Sequence, residues 1–250
     1  MGVVMKYGLG KYLHTFTVLG ACSKTGQLGI GIATYSLGVG GYCPVLRPNL
    51  GVVSSQAYAN PRLGILAMKL LGLGFSPEKV LKEIEEQDHY FSYRQIGIVN
   101  RNGIAVCHTG SNTRKWAGHQ IGEGYVSMGN ALSGQHVIEG IAQGFEASDG
   151  QSLDERLLRA LEAGRDVGGQ ANAEGKHLTE RSAALIVCDL DDIPYIDLRV
   201  DAHETAVDEL RRIHGLYAPY VEYVRLRSDD PPNTPAQDQW AKDKGLNWSD

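Results

Sequence analysis

Hydroxyl and amide side chains near the start of the chain have the clearest potential for chemistry. Thr15 begins a predicted strand, and a later predicted strand carries Ser54, Ser55 and Gln56 in a row. A threonine hydroxyl acts as a nucleophile when a nearby base accepts its proton. Serine and threonine are also ordinary residues of sheets, in which their hydroxyls bond to one another or to the backbone. The pattern by itself leaves both interpretations open.

The neighbour of Thr15 depends on the turn that follows its strand. The segment SKTGQ separates this strand from a second apolar one, which predicts an antiparallel hairpin. If the turn centres on the Thr-Gly pair of that segment, Thr15 lies opposite Ser36. A turn displaced by a residue or two puts Thr34 or Tyr35 in that place instead.

Several other chemistries have no sequence signature here. The chain contains no GxGxxG between a strand and a helix, no GxxxxGK[ST], no HExxH and no GxSxG. None of its eight histidines has a second histidine four residues away, so neither a metal site nor a cofactor is expected. The 24 Lys and Arg against 29 Asp and Glu, a net charge of −5, argue against a nucleic-acid partner.

Cysteine usage and the N-terminal residues predict the compartment. Cys22, Cys43, Cys107 and Cys188 are far apart and include no CxxC pair, which favours free thiols in a reducing cytosol. Glycine and lysine interrupt the first residues, which therefore lack the apolar run of about 7–15 residues that a signal peptide needs. No stretch approaches the ~20 apolar residues of a membrane span. The sequence predicts a cytoplasmic protein without a membrane partner.

Blocks of predicted strands alternate with predicted helices along the chain. Apolar and β-branched runs predict strands at 15–21, 28–36, 51–59, 93–100, 104–110, 182–190 and 195–201, with short strands within 118–130. Capping residues and apolar spacing predict helices at 61–73, 77–87, 134–147, 152–164 and 204–216. Glycine-rich or polar composition predicts loops at 38–49 and 168–180. The expected fold is α+β: a four-layer αββα sandwich of two stacked antiparallel sheets with the helices outside.

One domain, residues 15–227, accounts for these elements, since no linker divides it. Residues 1–14 precede it as a leader or propeptide. Residues 228–250 contain few apolar side chains, and we expect a polar, flexible tail that can dock on a neighbouring copy in a homo-oligomer.

Several segments together resemble the DUF1028 family. They are HTFTVLGACSKTGQLGIGIATYSLGVGGYCPVLRPNLGVVSSQAYANPRLG, RQIGIVNRNGIAVCHTG, GHQIGEGYVSMGN, RSAALIV and DLRVDAHETAVDELRRI. The resemblance covers roughly residues 14–216. The family in turn looks like a branch of the N-terminal nucleophile (Ntn) hydrolase superfamily, whose members share an αββα sandwich.

The resemblance implies a mechanism in which the first residue of the mature chain is Thr, Ser or Cys. Its own α-amine, with a pKa near 7.7–8.0, is the base that activates its side chain. The matching residue is Thr15, which would attack an amide carbonyl to form an acyl-enzyme that water then hydrolyses. In many relatives this threonine follows the initiator Met, whereas fourteen residues precede it here. Those residues are an autoprocessed propeptide, an artificial extension or the result of a misplaced start.

The resemblance also implies roles for other residues. Ser36, in TYSLGVG, would bond to the α-amine or relay a proton. Asn130, in SMGN, would donate its amide to an oxyanion together with backbone N–H groups near Gly129. Gln56, in SSQAYANP, would orient the substrate. At His108, in CHTG, a structural hydrogen bond and a role in the site are equally supported.

The segment before the SAAL strand departs from the family pattern. Relatives often carry GGD-x-RG-x-QS there, whereas this chain has the longer GGQANAEGKHLTERS, without the Asp and with Arg181 in place of Gln. Arg181 is a candidate to bind a substrate carboxylate in a bidentate manner. An exposed arginine on a strand edge is the alternative. Relatives also often carry His where this chain has Tyr35.

The expected function is an Ntn-type amidohydrolase that cleaves the C–N bond of a small amide, ureido or peptide-like substrate. Thr15 is its nucleophile after removal of the leader, and no metal or organic cofactor is needed. The alternative is a catalytically inactive ligand-binding or assembly protein on the same fold. An uncleaved leader would favour that alternative, because it blocks the proposed base.

Overall fold

A computed structural model describes residues 14–190 and 194–246. Most of the predicted leader and the last residues of the predicted tail lie outside these ranges. The chain divides into a compact unit that ends at Leu210 and a second unit that begins at Arg211.

The first unit contains two antiparallel sheets and a short strand pair. Its strands are β1 (Thr15–Ala21), β2 (Leu28–Thr34), β3 (Pro44–Arg47), β4 (Gly51–Ala57), β5 (Arg94–Asn100), β6 (Ala105–Thr109), β7 (Gly118–Gly122), β8 (Tyr125–Asn130), β9 (Gln170–Ala171), β10 (His177–Leu178), β11 (Ser182–Cys188) and β12 (Pro194–Val200). The large sheet has the order β12-β11-β2-β1-β8-β7, and the small sheet has the order β3-β4-β5-β6. β9 pairs with β10.

The two sheets share one apolar core. Leu19, Ile30 and Met128 of the large sheet belong to the same buried cluster as Val52 and Val99 of the small sheet. Side chains alternate between the two faces of a strand. Therefore every second residue of β1, from its first residue through Leu19, faces the space between the sheets.

Helices contact the faces of both sheets that point away from this core. They are α1 (Pro61–Gly72), α2 (Pro77–Gln87), α3 (Gln135–Ala147) and α4 (Leu153–Asp166). α1 and α2 pack on the small sheet through a cluster that includes Leu63, Ile84 and Ile96. α4 contacts β1, β2 and β11, and α3 contacts β7 and β8. The predicted mixed α+β class, with two antiparallel sheets and helices, is confirmed.

Two segments that the sequence predicts as loops contain short strands. β3 lies within the first and begins at Pro44. Proline is tolerated there because β3 is an edge strand, where a ladder N–H is not needed. β9 and β10 lie within the second, which otherwise has the polar composition of a loop.

The second unit has a small core of its own. Its helices include α5 (Ala206–Tyr217), which contains the boundary between the units, α6 (Val221–Asp229) and α7 (Gln237–Asp243). Tyr220, Tyr223 and Trp240 are buried together, and the Tyr223 hydroxyl donates to the Pro235 carbonyl at 3.0 Å. The segment that the sequence predicts as a polar tail thus contains a helix, because Trp240 packs against two tyrosines upstream. Its predicted role in assembly stays a prediction. Within the described ranges, no helix has the length and apolar character to span a membrane.

Gly110 follows β6 and offers a test of the backbone that leads from the small sheet to β7. Its N–H donates to the Arg94 carbonyl at 2.9 Å, and a Cβ at this position would lie 2.1 Å from the Ser92 carbonyl oxygen. Because that neighbour is backbone, we expect Gly110→Ala to lower the free energy of unfolding by about 1–3 kcal/mol. Urea unfolding followed by circular dichroism measures the loss. Gly41→Ala, where a Cβ meets nothing within 4 Å, is the matched control. Equal stability of the two variants would contradict the expectation.

Candidate functional site

Thr15 lies in a row of polar residues that crosses the large sheet. It pairs with Thr34 of β2 on one side and with Asn130 of β8 on the other, and Thr34 pairs in turn with Ser182 of β11. Residues that pair directly point to the same face of a sheet. The four side chains therefore face the space between the sheets, where Thr15 is 5 % and Asn130 0 % exposed.

The expected pairing of Thr15 with Ser36 is wrong by two residues. Ala21 pairs with Leu28, so the turn centres one residue earlier than expected. In an antiparallel hairpin, moving the centre of the turn by one residue changes the partner of each strand residue by two. Thr34, the alternative partner, takes the place. Ser36 lies beyond the end of β2, where its N–H donates to Thr34 Oγ1 at 3.2 Å.

The Ser36 side chain is engaged elsewhere. Burial raises the pKa of the Tyr42 phenol, and a hydrogen bond with the Ser36 side chain opposes that rise. The Ser36 carbonyl accepts from Ser182 Oγ at 2.8 Å. The structure therefore brings the backbone of Ser36, and not its hydroxyl, next to the partner of Thr15.

A directed chain of hydrogen bonds joins Thr15 to the peptide bond before it. The Thr34 hydroxyl donates to the carbonyl oxygen of His14, and the Thr15 and Thr34 Oγ1 atoms are 3.2 Å apart. A hydroxyl has one hydrogen. Because that of Thr34 points to His14, the hydrogen between the two hydroxyls comes from Thr15. The lone pairs of Thr15 Oγ1 are then not used in this bond.

A network of buried amides lies next to this chain, and Gln95 of β5 is its centre. Gln95 Nε2 donates to the carbonyl oxygens of Gly118 and Gly129 at 3.1 and 2.9 Å. Its Oε1 accepts from Gln56 Nε2 at 2.9 Å and from Asn130 Nδ2 at 3.1 Å. Carbonyl oxygens only accept, so they determine which end of the Gln95 amide carries nitrogen. That orientation in turn determines those of Gln56 and Asn130.

Gln56 is a structural part of this network. It is 0 % exposed, and its Oε1 accepts from Thr17 Oγ1 at 2.6 Å and from Ser54 Oγ at 3.2 Å. Its amide thus ties β4 to β1 and β5. The structure places Gln56 beneath the row of Thr15, and its role toward a substrate stays a prediction.

Thr109 and His119 extend the network toward the surface. Thr109 Oγ1 lies 2.9 Å from Gln95 Nε2, whose two hydrogens it shares with the carbonyls of Gly118 and Gly129, and 2.8 Å from His119 Nδ1. Burial lowers the pKa of His119, and the nearby His108 lowers it further. Both observations favour a neutral imidazole whose Nδ1 accepts from the Thr109 hydroxyl.

A cleft too small to hold a water molecule is lined by Ala57, Tyr58, Arg114 and Asn130. Asn130 Oδ1 is buried and has no hydrogen-bond partner among the described residues. Ala57 and Ala131, which follows Asn130, have φ angles of 64° and 52°. A residue other than glycine in this left-handed region carries strain of about 1–3 kcal/mol, and such residues cluster at functional sites.

An ion pair holds the wall of the cleft that Tyr58 forms. Arg94 donates to the Tyr58 carbonyl and pairs with Asp88 at 2.7 Å. Burial raises the pKa of Asp88, but the hydrogen bond from Arg94 and the N–H of Tyr90 hold it below its usual value. The Tyr58 ring meets that of Tyr93 edge to face at 5.4 Å.

His108 lies on the other side of the small sheet. It pairs with Ile96, and its ring stacks on Phe91 at 3.7 Å, both of which belong to the core under α1 and α2. Its Nε2 lies 3.1 Å from the Phe91 carbonyl, and burial lowers its pKa. Of its two interpretations, the geometry supports the structural hydrogen bond and turns His108 away from Thr15.

Arg181 contacts Tyr35, which in turn lies next to His14. Its N–H donates to the Thr34 carbonyl at 2.8 Å, and its guanidinium lies 5.1 Å from the centre of the Tyr35 ring. That ring in turn meets the His14 imidazole edge to face at 5.8 Å. Arg181 and Tyr35 therefore flank the His14 side of the site.

Gln95 and Arg114 are site residues that the sequence does not single out. Gln95 carries a recognisable signal, since it is the polar member of an apolar strand on the face that also holds Gly97 and Val99. Arg114 lies in an irregular segment between β6 and β7, where no periodicity places it. The described ranges contain no group of three or more His, Cys, Asp or Glu side chains positioned to hold a metal ion.

Comparison with known proteins identifies one family. The model of DUF1028, a family of unknown function, matches residues 15–210, a range that starts at Thr15. The solved structure of protein SPO2555 from Silicibacter pomeroyi, also assigned to DUF1028, is 29 % identical and has a TM-score of 0.75. That match covers 82 % of this chain and 86 % of the other. No curated protein matches the chain.

Two further solved structures are weakly similar. Anbu (ancestral beta-subunit) from Yersinia bercovieri is 12 % identical with a TM-score of 0.38, over 83 % of this chain and 96 % of that one. A Gly-1 mutant of Anbu from Hyphomicrobium sp. strain MC1 is 10 % identical with the same TM-score, over 84 % and 96 %.

Gln95→Glu tests the orientation of the amide network. The two carbonyls that accept from Gln95 repel an ionised carboxylate, which raises its pKa above the ordinary value of about 4.3. A raised pKa in the folded state gives stability that is complete at low pH and is lost as pH rises. We expect the free energy of unfolding, relative to wild type, to fall between about pH 4 and pH 7.

Chemical unfolding at several pH values measures this dependence. Gln151→Glu, at an exposed position, is the matched control and should follow wild type. A pH-independent difference between Gln95→Glu and wild type would mean that Gln95 does not face the two carbonyls with its nitrogen.

Proposed function

This chain belongs to DUF1028, a family of unknown function, and we propose that it is an Ntn-type amidohydrolase with Thr15 as its nucleophile. In this proposal its two antiparallel sheets and flanking helices form the αββα sandwich of that superfamily. Cleavage of the bond between His14 and Thr15 exposes the α-amine that acts as base. The substrate is a small amide, ureido or peptide-like molecule.

The observation that carries the proposal is the hydrogen-bond chain from Thr15 through Thr34 to the His14 carbonyl. The proposed nucleophile is adjacent to this carbonyl in the chain, and a donor already polarises the carbonyl oxygen. A donor aimed at such an oxygen stabilises the negative charge that develops when a nucleophile attacks the carbon.

The same contacts support self-cleavage of the leader. Thr15 Oγ1 attacks the His14 carbonyl carbon and passes its proton to Thr34, which gives its own proton to the carbonyl oxygen. The tetrahedral carbon then releases the Thr15 nitrogen, which takes that proton and becomes a free amine. Water hydrolyses the resulting ester, which leaves a carboxylate on His14 and restores the Thr15 hydroxyl.

The second reaction uses the same groups on a substrate. With a pKa near 7.7–8.0, part of the free α-amine is unprotonated at neutral pH and accepts the proton of Thr15 Oγ1. The Thr34 hydroxyl is positioned to donate to a substrate carbonyl that takes the place of the His14 carbonyl. Tyr35 and Arg181 then flank the acyl group, because they flank His14.

Of the remaining predicted residues, three belong to the proposed site or support it, and one does not. Asn130 stays in the site, since it pairs directly with Thr15. One hydrogen of its Nδ2 is donated to Gln95 Oε1, and its role as an oxyanion donor stays a prediction. Ser36 acts through its backbone N–H on Thr34. Gln56 supports the site from below, and His108 has no part in the proposal.

Intact-mass measurement of the purified chain tests the proposal. We expect wild type to convert to a chain that begins at Thr15, whereas Thr15→Ala retains the leader because it has no nucleophile. Thr34→Val, which keeps the shape but removes the donor, should slow conversion by about 10²–10³-fold. Thr25→Val, in the exposed hairpin turn, is the control and should convert like wild type.

Hydrolysis is measured as amine or ammonia release from a panel of small amides, ureido compounds and lactams. Release by the processed wild type and none by Thr15→Ala supports the enzyme. Loss of the leader from Thr15→Ala at the wild-type rate would contradict self-cleavage. A chain that keeps its leader and releases nothing would favour the binding protein instead.

A further inference from the structure

The large sheet ends at β12, which has one open edge. It pairs with β11 on one side, and no strand of the described residues pairs with it on the other. An edge strand presents backbone N–H and C=O groups that can pair with a strand of another chain, and many edge strands prevent this with proline or lysine. From Ile196 to Val200 the pairing of β12 with β11 is regular, and this segment contains neither residue.

The centre of β12 is also the part of the strand that is least covered. Its side chains alternate between the helix layer and the space between the sheets. Ile196 and Val200 are buried, whereas Leu198, which lies between them on the same face, is partly exposed. On the other face the side chains of Asp197 and Arg199 are 34 % and 40 % exposed. Apolar and charged groups are therefore both accessible around Leu198.

The two charged residues are already aligned with each other. Arg199 Nε and Nη2 donate to the two carboxylate oxygens of Asp197 at 2.8 and 3.0 Å. The stem of Arg199 packs closely, since a Cβ at Gly40 would lie 3.1 Å from its Cδ. A guanidinium has five N–H donors, of which Asp197 takes two. Arg199 is thus positioned to bind a second carboxylate beyond the edge of the sheet.

The order of these charges selects one register for the pairing of β12 with a copy of itself. Residues that lie opposite each other point to the same face, so a two-fold axis between two antiparallel copies passes through one residue, which then lies opposite its own copy. With the axis at Leu198, Asp197 of each copy lies opposite Arg199 of the other. With the axis one residue to either side, two aspartates or two arginines lie opposite each other, which is destabilising.

We propose that the open edge of β12 binds a second copy of this chain, with the two β12 strands antiparallel and centred on Leu198. The six-stranded sheets of the two copies then form one continuous sheet. The Leu198 side chains contact each other on the helix face, and on the other face two aspartates and two arginines alternate. Because the same surface is used by both copies, the assembly closes as a dimer. It forms whether or not Thr15 hydrolyses a substrate.

Charge reversals on the full chain test this pairing. Asp197→Arg places arginine opposite arginine in the proposed dimer, and Arg199→Asp places aspartate opposite aspartate. Analytical ultracentrifugation measures the dimer dissociation constant, and we expect each variant to raise it at least about tenfold. Glu155→Arg, which breaks the ion pair with Arg159 on α4, is the matched control and should keep the wild-type constant. Circular dichroism verifies that the variants fold.

An equimolar mixture of the two reversed variants separates contact between copies from the ion pair within one strand. In each variant positions 197 and 199 carry the same charge, so the ion pair within the strand is lost in both. In a dimer of one variant with the other, every contact between the strands again joins opposite charges. Native mass spectrometry distinguishes the three dimers by mass, and we expect the mixed dimer to predominate.

Two results would overturn the inference. One is a wild type that stays monomeric at its highest soluble concentration, and the other is a mixture whose three dimers occur in statistical proportion. If a reversed variant does not fold, hydrogen exchange of wild type decides. Peptides that span residues 196–200 should gain protection as the protein concentration rises through the dissociation constant, and unchanged protection in a dimer would place the interface elsewhere.

Discussion

The pairing register of β1 between β2 and β8 is the constraint on which the rest of the site depends. A slip of one residue would turn Thr15 toward the helices and bring Phe16 between the sheets. Phe16 and Leu19 are both 0 % exposed and belong to opposite faces of β1, so apolar burial on each face opposes such a slip. The polar row is therefore aligned by apolar side chains that do not belong to it.

Two chains of hydrogen bonds then determine whether each polar atom of the row is a donor or an acceptor. One begins at the carbonyl oxygens of Gly118 and Gly129, passes through Gln95 and ends with the free oxygen of Asn130. The other begins at the His14 carbonyl and ends with the lone pairs of Thr15 Oγ1. Backbone carbonyl oxygens only accept hydrogen bonds, so they determine the direction of each further hydrogen bond in the chain that begins at them. The main chain thus decides which atoms of the row donate and which accept.

The sequence predicts the elements better than their alignment. Asn60 caps α1 by accepting from the Arg62 N–H, as its pattern with Pro61 indicates. The register of the first hairpin could not be predicted, because six residues between Ala21 and Leu28 form a turn without a distinctive type. Side chains alternate between the two faces of β6, so a register error of one residue would move His108 to the opposite face of the small sheet.

Long-range contacts account for the other differences. Gln95 stands out in the sequence as a polar residue of an apolar strand, but the two carbonyls that its amide meets belong to β7 and β8. The Trp240 contacts that order the C-terminal segment join residues about twenty positions apart. Such contacts follow from packing, and no local pattern of residues encodes them.

The bond between His14 and Thr15 also decides between the two proposed functions, hydrolase and binding protein. If one nucleophile cuts both the leader and the substrate, both carbonyl carbons must occupy the same position. His14 then fills the acyl side, between Tyr35 and the hydroxyls, for as long as its bond to Thr15 is intact. In the proposed function, an uncleaved chain therefore lacks the base and has no room on the acyl side, so hydrolysis requires that this single peptide bond be cut.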